Sequence, residues 1–186
     1  MWKYSLTVDA KGEDRTLAQS GRKVRAYPGV QRYRWDKFWL ALPPDQAVAA
    51  RTSFATMRSV FQHKGWTLYL DELRLFSDPD YLPKYAPELP AELERLWLYG
   101  RSRGITVVTG TQAPRWCPAA AFEQPTHFLI GRTQSRSNLK MMEKISADTD
   151  RIKDIVPYLD RFEFLYVQSG SDDMAISKFP LKGSGR

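Results

Sequence analysis

Cysteine and histidine are nearly missing from this chain of 186 residues, which has one Cys, Cys117, and two His. A single thiol excludes an intrachain disulfide and suits a reducing compartment. So few soft donors argue against a structural zinc site. Long apolar runs are missing as well. No stretch approaches the roughly 20 residues that span a bilayer, and Met1-Trp2-Lys3-Tyr4 lacks the apolar core of a signal peptide. A cytoplasmic protein is therefore expected. There is no internal repeat and no low-complexity tract. One further absence is specific: no Lys is followed by Ser or Thr. The pattern G-x-x-x-x-G-K-[ST], whose backbone N–H groups and Lys wrap phosphates, does not occur.

The residues that are present form a globular composition, 42% hydrophobic and 13% aromatic. The length suits one domain, expected over residues 1–181, with 182–186 as a frayed tail. A net charge of +7 permits nucleic-acid binding without showing it.

Strand and helix patterns alternate through the middle of the chain, which predicts an α/β fold with a parallel sheet covered by helices. Tyr4 to Val8 reads as a buried strand and residues 23–27 as a short edge strand. Asp45 can cap a helix that carries Ala50, Phe54, Met57 and Phe61 on one face and stops near Lys64-Gly65. Strands are expected at 66–70, 105–110 and 126–130. Residues 77–90, with four prolines, read as a surface loop, and a helix is expected over about 90–102. Leu139, Met142 and Ile145 pattern another helix. Phe162–Val167 and Met174–Phe179 read as a closing β-hairpin.

The strand 66–70 ends in two adjacent carboxylates, Asp71 and Glu72, and the strand 105–110 leads to Gln112. Open α/β sheets build active sites where strands end in polar residues at one rim. Paired carboxylates at a strand end repel unless a cation sits nearby. Asp71 can hold Mg²⁺ through its water shell while Glu72 orients and deprotonates a water. Gln112 can hydrogen-bond a phosphate oxygen or that water. This is the hydrolysis half of an NTPase without its phosphate cradle. The plainer reading is a solvated acidic turn and a turn-capping amide. Arg101 suits an arginine finger acting on a neighbouring subunit, or a basic helix C-terminus favoured by the macrodipole. Arg132 follows strand 126–130 and shares the rim if the strands are parallel, where it contacts phosphate or pairs with Asp71 or Glu72.

Residues 21–39 bring Arg22, Lys23, Arg25, Arg32, Arg34 and Lys37 together with Tyr27, Tyr33, Trp35, Phe38 and Trp39. Basic groups meet phosphates and aromatics stack on bases. A half-buried connection with snorkelling Arg side chains is the alternative.

These residues resemble the HerA/FtsK division of P-loop ATPases, which includes DNA translocases, conjugation coupling proteins and viral packaging motors. Leu68–Glu72 resembles the Walker B strand. The run from Gly100-Arg101 to Thr111-Gln112 resembles the Arg-bearing helix end and Gln-tipped strand, and in coupling proteins the matching Arg acts in trans. Val8-Asp9-Ala10-Lys11-Gly12-Glu13 is similar to the Asp-x-Lys-Gly segment that follows the P-loop helix. The resemblance implies a mostly parallel RecA-like sheet with a C-terminal hairpin, here without the P-loop strand and helix. It implies Mg²⁺ and ATP as family cofactors and DNA as partner. It also implies a homo-oligomeric ring or a P-loop-bearing partner. The function expected is a DNA-translocating or packaging motor ATPase domain. The alternatives are a non-catalytic DNA-binding or structural relative, and one subunit of a split ATPase.

Overall fold

The computed structural model describes residues 4–12, 14–29, 37–146, 148–171 and 173–179. Contacts group the chain into two compact units, Met1–Ala120 and Ala121–Arg186, where the sequence reading takes residues 1–181 as one domain.

The first unit holds a five-stranded sheet. Its strands are β1 (Tyr4–Asp9), β2 (Arg22–Val24), β3 (Lys37–Ala41), β4 (Trp66–Leu70) and β5 (Thr106–Thr109). They lie in the order β2-β3-β1-β4-β5, and every pairing is parallel. Register explains the core. Leu6 sits between Phe38 and Leu68, and Val8 between Leu40 and Leu70. All six are nearly or fully buried and form one continuous apolar layer. The other set of alternate residues is more polar: Ser5, Thr7, Thr67, Tyr69 and Thr106.

Two long helices sit on this frame, α1 (Gln46–His63) and, after the short α2 (Arg74–Ser77), α3 (Leu89–Tyr99), packed against each other. Asp45 caps α1 by accepting from Val48 N at 2.9 Å. Its end is marked by Lys64 and Gly65, both at positive φ. The buried face runs through Ala49, Ala50, Ser53, Thr56, Met57, Val60 and Phe61, while Phe54 is only half-buried. α3 starts with Pro90 in its first turn and continues into a 3₁₀ turn, Arg101–Arg103, closed by left-handed Gly104.

Residues 77–90 are more than a surface loop. A 3₁₀ turn at Leu82–Lys84 and the burial of Asp78, Leu82 and Ala86 fold them onto the unit. Strand β3 has no counterpart in the sequence reading. Its Phe38-Trp39-Leu40 run is buried because parallel strands lie inside the sheet, which conceals the period-2 alternation of a half-exposed strand.

The second unit follows the short α4 (Ala120–Glu123). It holds an antiparallel sheet, β6 (His127–Gly131), β7 (Glu163–Gln168) and β8 (Met174–Lys178), in that order. The β7–β8 hairpin stands where the sequence places it. The expected single helix around Leu139–Ile145 is two, α5 (Arg136–Met142) capped by Ser135 and α6 (Thr149–Ile155) capped by Asp148. The sequence reading puts Arg132, which follows β6, on the shared rim if the strands are parallel. Strand β6 pairs antiparallel with β7 in a separate sheet, so the condition that placed Arg132 beside Asp71 and Gln112 is not met. No helix among the described residues is long and apolar enough to cross a membrane.

Candidate functional site

Three strand ends meet at one rim of the parallel sheet. Strand β1 ends in Asp9, β4 is followed by Asp71 and Glu72, and β5 by Gly110, Thr111 and Gln112. The backbone knits them together: Asp71 N donates to Val8 O at 3.1 Å, and Leu73 N to Gly110 O at 2.8 Å.

Asp9 is fully buried. Its carboxylate accepts three backbone N–H groups: Oδ1 from Lys11 at 3.1 Å and Gly12 at 2.9 Å, and Oδ2 from Asp14 at 3.1 Å. One side chain thus shapes the whole Asp-x-Lys-Gly turn. Gly12 has φ 71° and lies so close to Leu42 that a Cβ would stand 2.8 Å from its carbonyl oxygen. Only glycine fits there.

Asp71 is half-buried. Burial is the main cause that raises its proton affinity. Lys11 opposes that rise, and the carboxylates of Asp9, Asp14 and Glu72 add to it. Tyr69 is likewise held protonated to higher pH by burial and by Asp71 and Asp14. A cation at Asp71 would relieve both effects. Among the described residues no three His, Cys, Asp or Glu side chains gather around one point. The pair Asp71 and Glu72 is a donor set of the kind Mg²⁺ takes, one or two carboxylates with the rest of the shell completed by water and phosphate oxygens.

Glu72 carries the most informative geometry. Its φ is 56°, in the left-handed region. For a residue with a Cβ that conformation costs about 1–2 kcal/mol. Such strain persists where surrounding contacts hold it, and it concentrates at functional sites. The contacts come from the β5 end: the Thr111 hydroxyl donates to Oε1 at 2.9 Å, and Gln112 N to Oε2 at 3.4 Å. Thr111 in turn accepts from Ala113 N at 3.1 Å. The Gln112 side chain is exposed, and only its backbone touches Glu72. Thr111 is the residue that sequence reasoning missed. A Thr ahead of a strand-end Gln carries no pattern that distinguishes it.

The sheet brings Asp71, Glu72 and Gln112 together, and Arg101, Arg22, Lys23 and Arg25 lie elsewhere on the first unit. Arg101 lies at the opposite end of β5, a strand of four residues and so roughly 13 Å long. It is exposed, whereas Arg103 donates to Phe61 O at 3.3 Å and lies 4.3 Å over the Phe61 ring. Arg22, Lys23 and Arg25 are exposed on and after the edge strand β2. The described aromatics of that segment, Tyr27, Phe38 and Trp39, face inward. Phe38 and Trp39 are buried, and Tyr27 stacks on His63 at 5.3 Å. Lys23 lies 4.9 Å over Trp39. Arg32 and Arg34 lie outside the described residues, as do Tyr33 and Trp35.

No family profile matches the chain, and no curated protein sequence is significantly similar to it. Solved structures are similar. The genome packaging NTPase B204 of Sulfolobus turreted icosahedral virus 2, in complex with ATP-gammaS, superposes with a TM-score of 0.71 at 14% identity, covering 96% of this chain and 84% of that one. The same protein in complex with sulfate gives a TM-score of 0.65 at 14% identity over 97% and 84%. B204, described as the DNA-packaging ATPase of Sulfolobus turreted icosahedral virus, gives 0.66 at 14% identity over 94% and 82%. The chain thus has the fold of a viral genome-packaging NTPase, the fold that the HerA/FtsK resemblance implies.

Proposed function

We propose that this chain supplies the hydrolytic rim of a DNA-packaging or DNA-translocating motor ATPase of HerA/FtsK type, and that the 186 residues by themselves neither bind ATP tightly nor hydrolyse it. The observation that carries the reading is Glu72, held in a strained backbone conformation with its carboxylate bonded to the end of the Gln112 strand. In this reading Asp71 holds the metal's water shell, and Glu72 orients a water and accepts its proton. Gln112 presents its amide to the phosphate. Mg·ATP, when bound, supplies the leaving group and the charge that neutralises the phosphates. Arg101, at the far end of β5 from its own rim, serves the rim of the next subunit in a ring.

The missing element is the cradle. Charge-assisted contacts to phosphate contribute roughly 1.5–3 kcal/mol each, so losing several leaves little affinity. Calorimetry of the chain with Mg·ATP is expected to show no binding at micromolar concentrations. Hydrolysis is expected only when a segment or partner bearing G-x-x-x-x-G-K-[ST] is supplied. Micromolar affinity of the chain alone would overturn the reading.

DNA is the proposed polymer, met through its phosphates by Arg22, Lys23, Arg25, Arg32 and Arg34. Binding to a duplex should tolerate any sequence and weaken steeply with salt, with a log–log slope of about −0.9 per phosphate contacted. Replacing Arg22, Lys23 and Arg25 together by Ala should flatten that slope by about two to three. An unchanged slope would return these residues to ordinary basic surface.

A further inference from the structure

The aromatics beside Arg22–Arg25 are packed inward, but an outward-facing set exists elsewhere in the first unit. Trp116 ends the 3₁₀ turn Pro114–Trp116 and is 41% exposed. Two guanidinium groups lie over its indole, Arg115 at 5.0 Å and Arg74 at 5.6 Å from the ring centroid. Arg74 also lies 4.9 Å over Tyr81. Nearby in the chain, Lys84 lies 5.8 Å over Tyr85, itself 42% exposed. Arg74 Nε is paired with the buried Asp78 at 3.0 Å.

The position of Trp116 is held firmly. Its N–H donates to Ala113 O at 3.1 Å, and its carbonyl accepts from Ser77 Oγ at 2.9 Å. The Ala113 N–H is bonded to Thr111 Oγ1, which bonds Glu72. An exposed indole, pinned at its backbone and flanked by cations, contributes little to a core. It does have what an unpaired base needs: a rigid aromatic face with positive charge for the adjoining phosphates.

We propose that Trp116, with Arg74 and Arg115, is a stacking platform for an unpaired base of a single-stranded nucleic acid, wired through Thr111 to the Glu72 rim. The platform is argued from these side chains alone and stands whether or not the chain takes part in ATP hydrolysis.

The test uses the whole chain and fluorescence anisotropy with two labelled probes of equal length, an oligothymidylate and an abasic deoxyribose-phosphate oligomer. The unaltered protein should prefer the oligothymidylate, since only it has bases to stack. Trp116→Ala should abolish that preference and weaken oligothymidylate binding by about tenfold, the scale of one lost base stack. Trp116→Phe should keep most of it. Arg115→Ala, a change at an exposed side chain, should weaken both probes. Equal affinity of the unaltered protein for the two probes overturns the proposal without any variant being needed. So does a Trp116→Ala chain that keeps its preference.

Discussion

Asp9→Ala is expected to lower the stability of this chain by about 3 kcal/mol, because one buried carboxylate accepts three backbone N–H groups and charged acceptors contribute roughly 1.5–3 kcal/mol per bond, less than additively. Asp9 is 0% exposed, and nothing stands ready to replace its oxygens. The freed N–H groups can recover water only if the turn opens. Asp9→Asn should cost less. Its carbonyl oxygen can still accept from Lys11 and Gly12, while its NH₂ faces the Asp14 N–H and loses that bond. The measurement is urea unfolding. The midpoint should fall in the order wild type, Asn, Ala, with the slope unchanged. An Ala variant within about 1 kcal/mol of wild type would mean that the turn is held by its other contacts. With the turn opened, Asp9→Ala should also disturb the rim, since Lys11 and Asp14, both set by Asp9, act on Asp71.

Glu72→Gln is expected to slow ATP hydrolysis by about 10²–10⁴-fold in any assembly of this chain that hydrolyses ATP, which is the usual contribution of a positioned general base. The substitution is nearly isosteric. Its amide oxygen can still accept from Thr111, and the left-handed backbone is unchanged, so folding and Mg·ATP affinity should hold. The discriminating readout is therefore hydrolysis lost with binding retained. A rate that falls less than about tenfold would remove Glu72 from the proton transfer. Thr111→Val, which deletes the hydroxyl that positions Glu72, should give an intermediate loss, while Thr111→Ser should retain most activity.

Much of the architecture was legible because it is local. The residues from Trp66 to Leu70 alternate with no break, Asp45 is a capping residue ahead of an apolar face, and Lys64-Gly65 ends that helix at positive φ. Each signal depends on a few neighbouring residues. The placement of Asp71 and Gln112 on one rim followed from parallel pairing of two such strands, as β4 and β5 pair. What failed was long-range. Residues 126–130 read correctly as a strand, but nothing in that segment states which sheet it joins. Its partner is β7, more than thirty residues on, and the pairing is antiparallel, not the parallel one on which the rim reading of Arg132 depends.

The sequence by itself determined which polar groups follow which strands, and that a phosphate-loop pattern does not occur among these residues. Adjacent carboxylates after one strand, Gln after another and no Lys-Ser or Lys-Thr pair anywhere are facts of covalent order. Tertiary structure alone decided which groups act on one another. It set Glu72 against Thr111 across two strand ends, drew three N–H groups onto Asp9, turned Phe38 and Trp39 inward and left Trp116 outward. The physical reason is that hydrogen bonds and burial are pairwise in space. A residue's own type fixes what it can donate, accept or hide, but its partner is chosen by the register and order of strands distant in sequence.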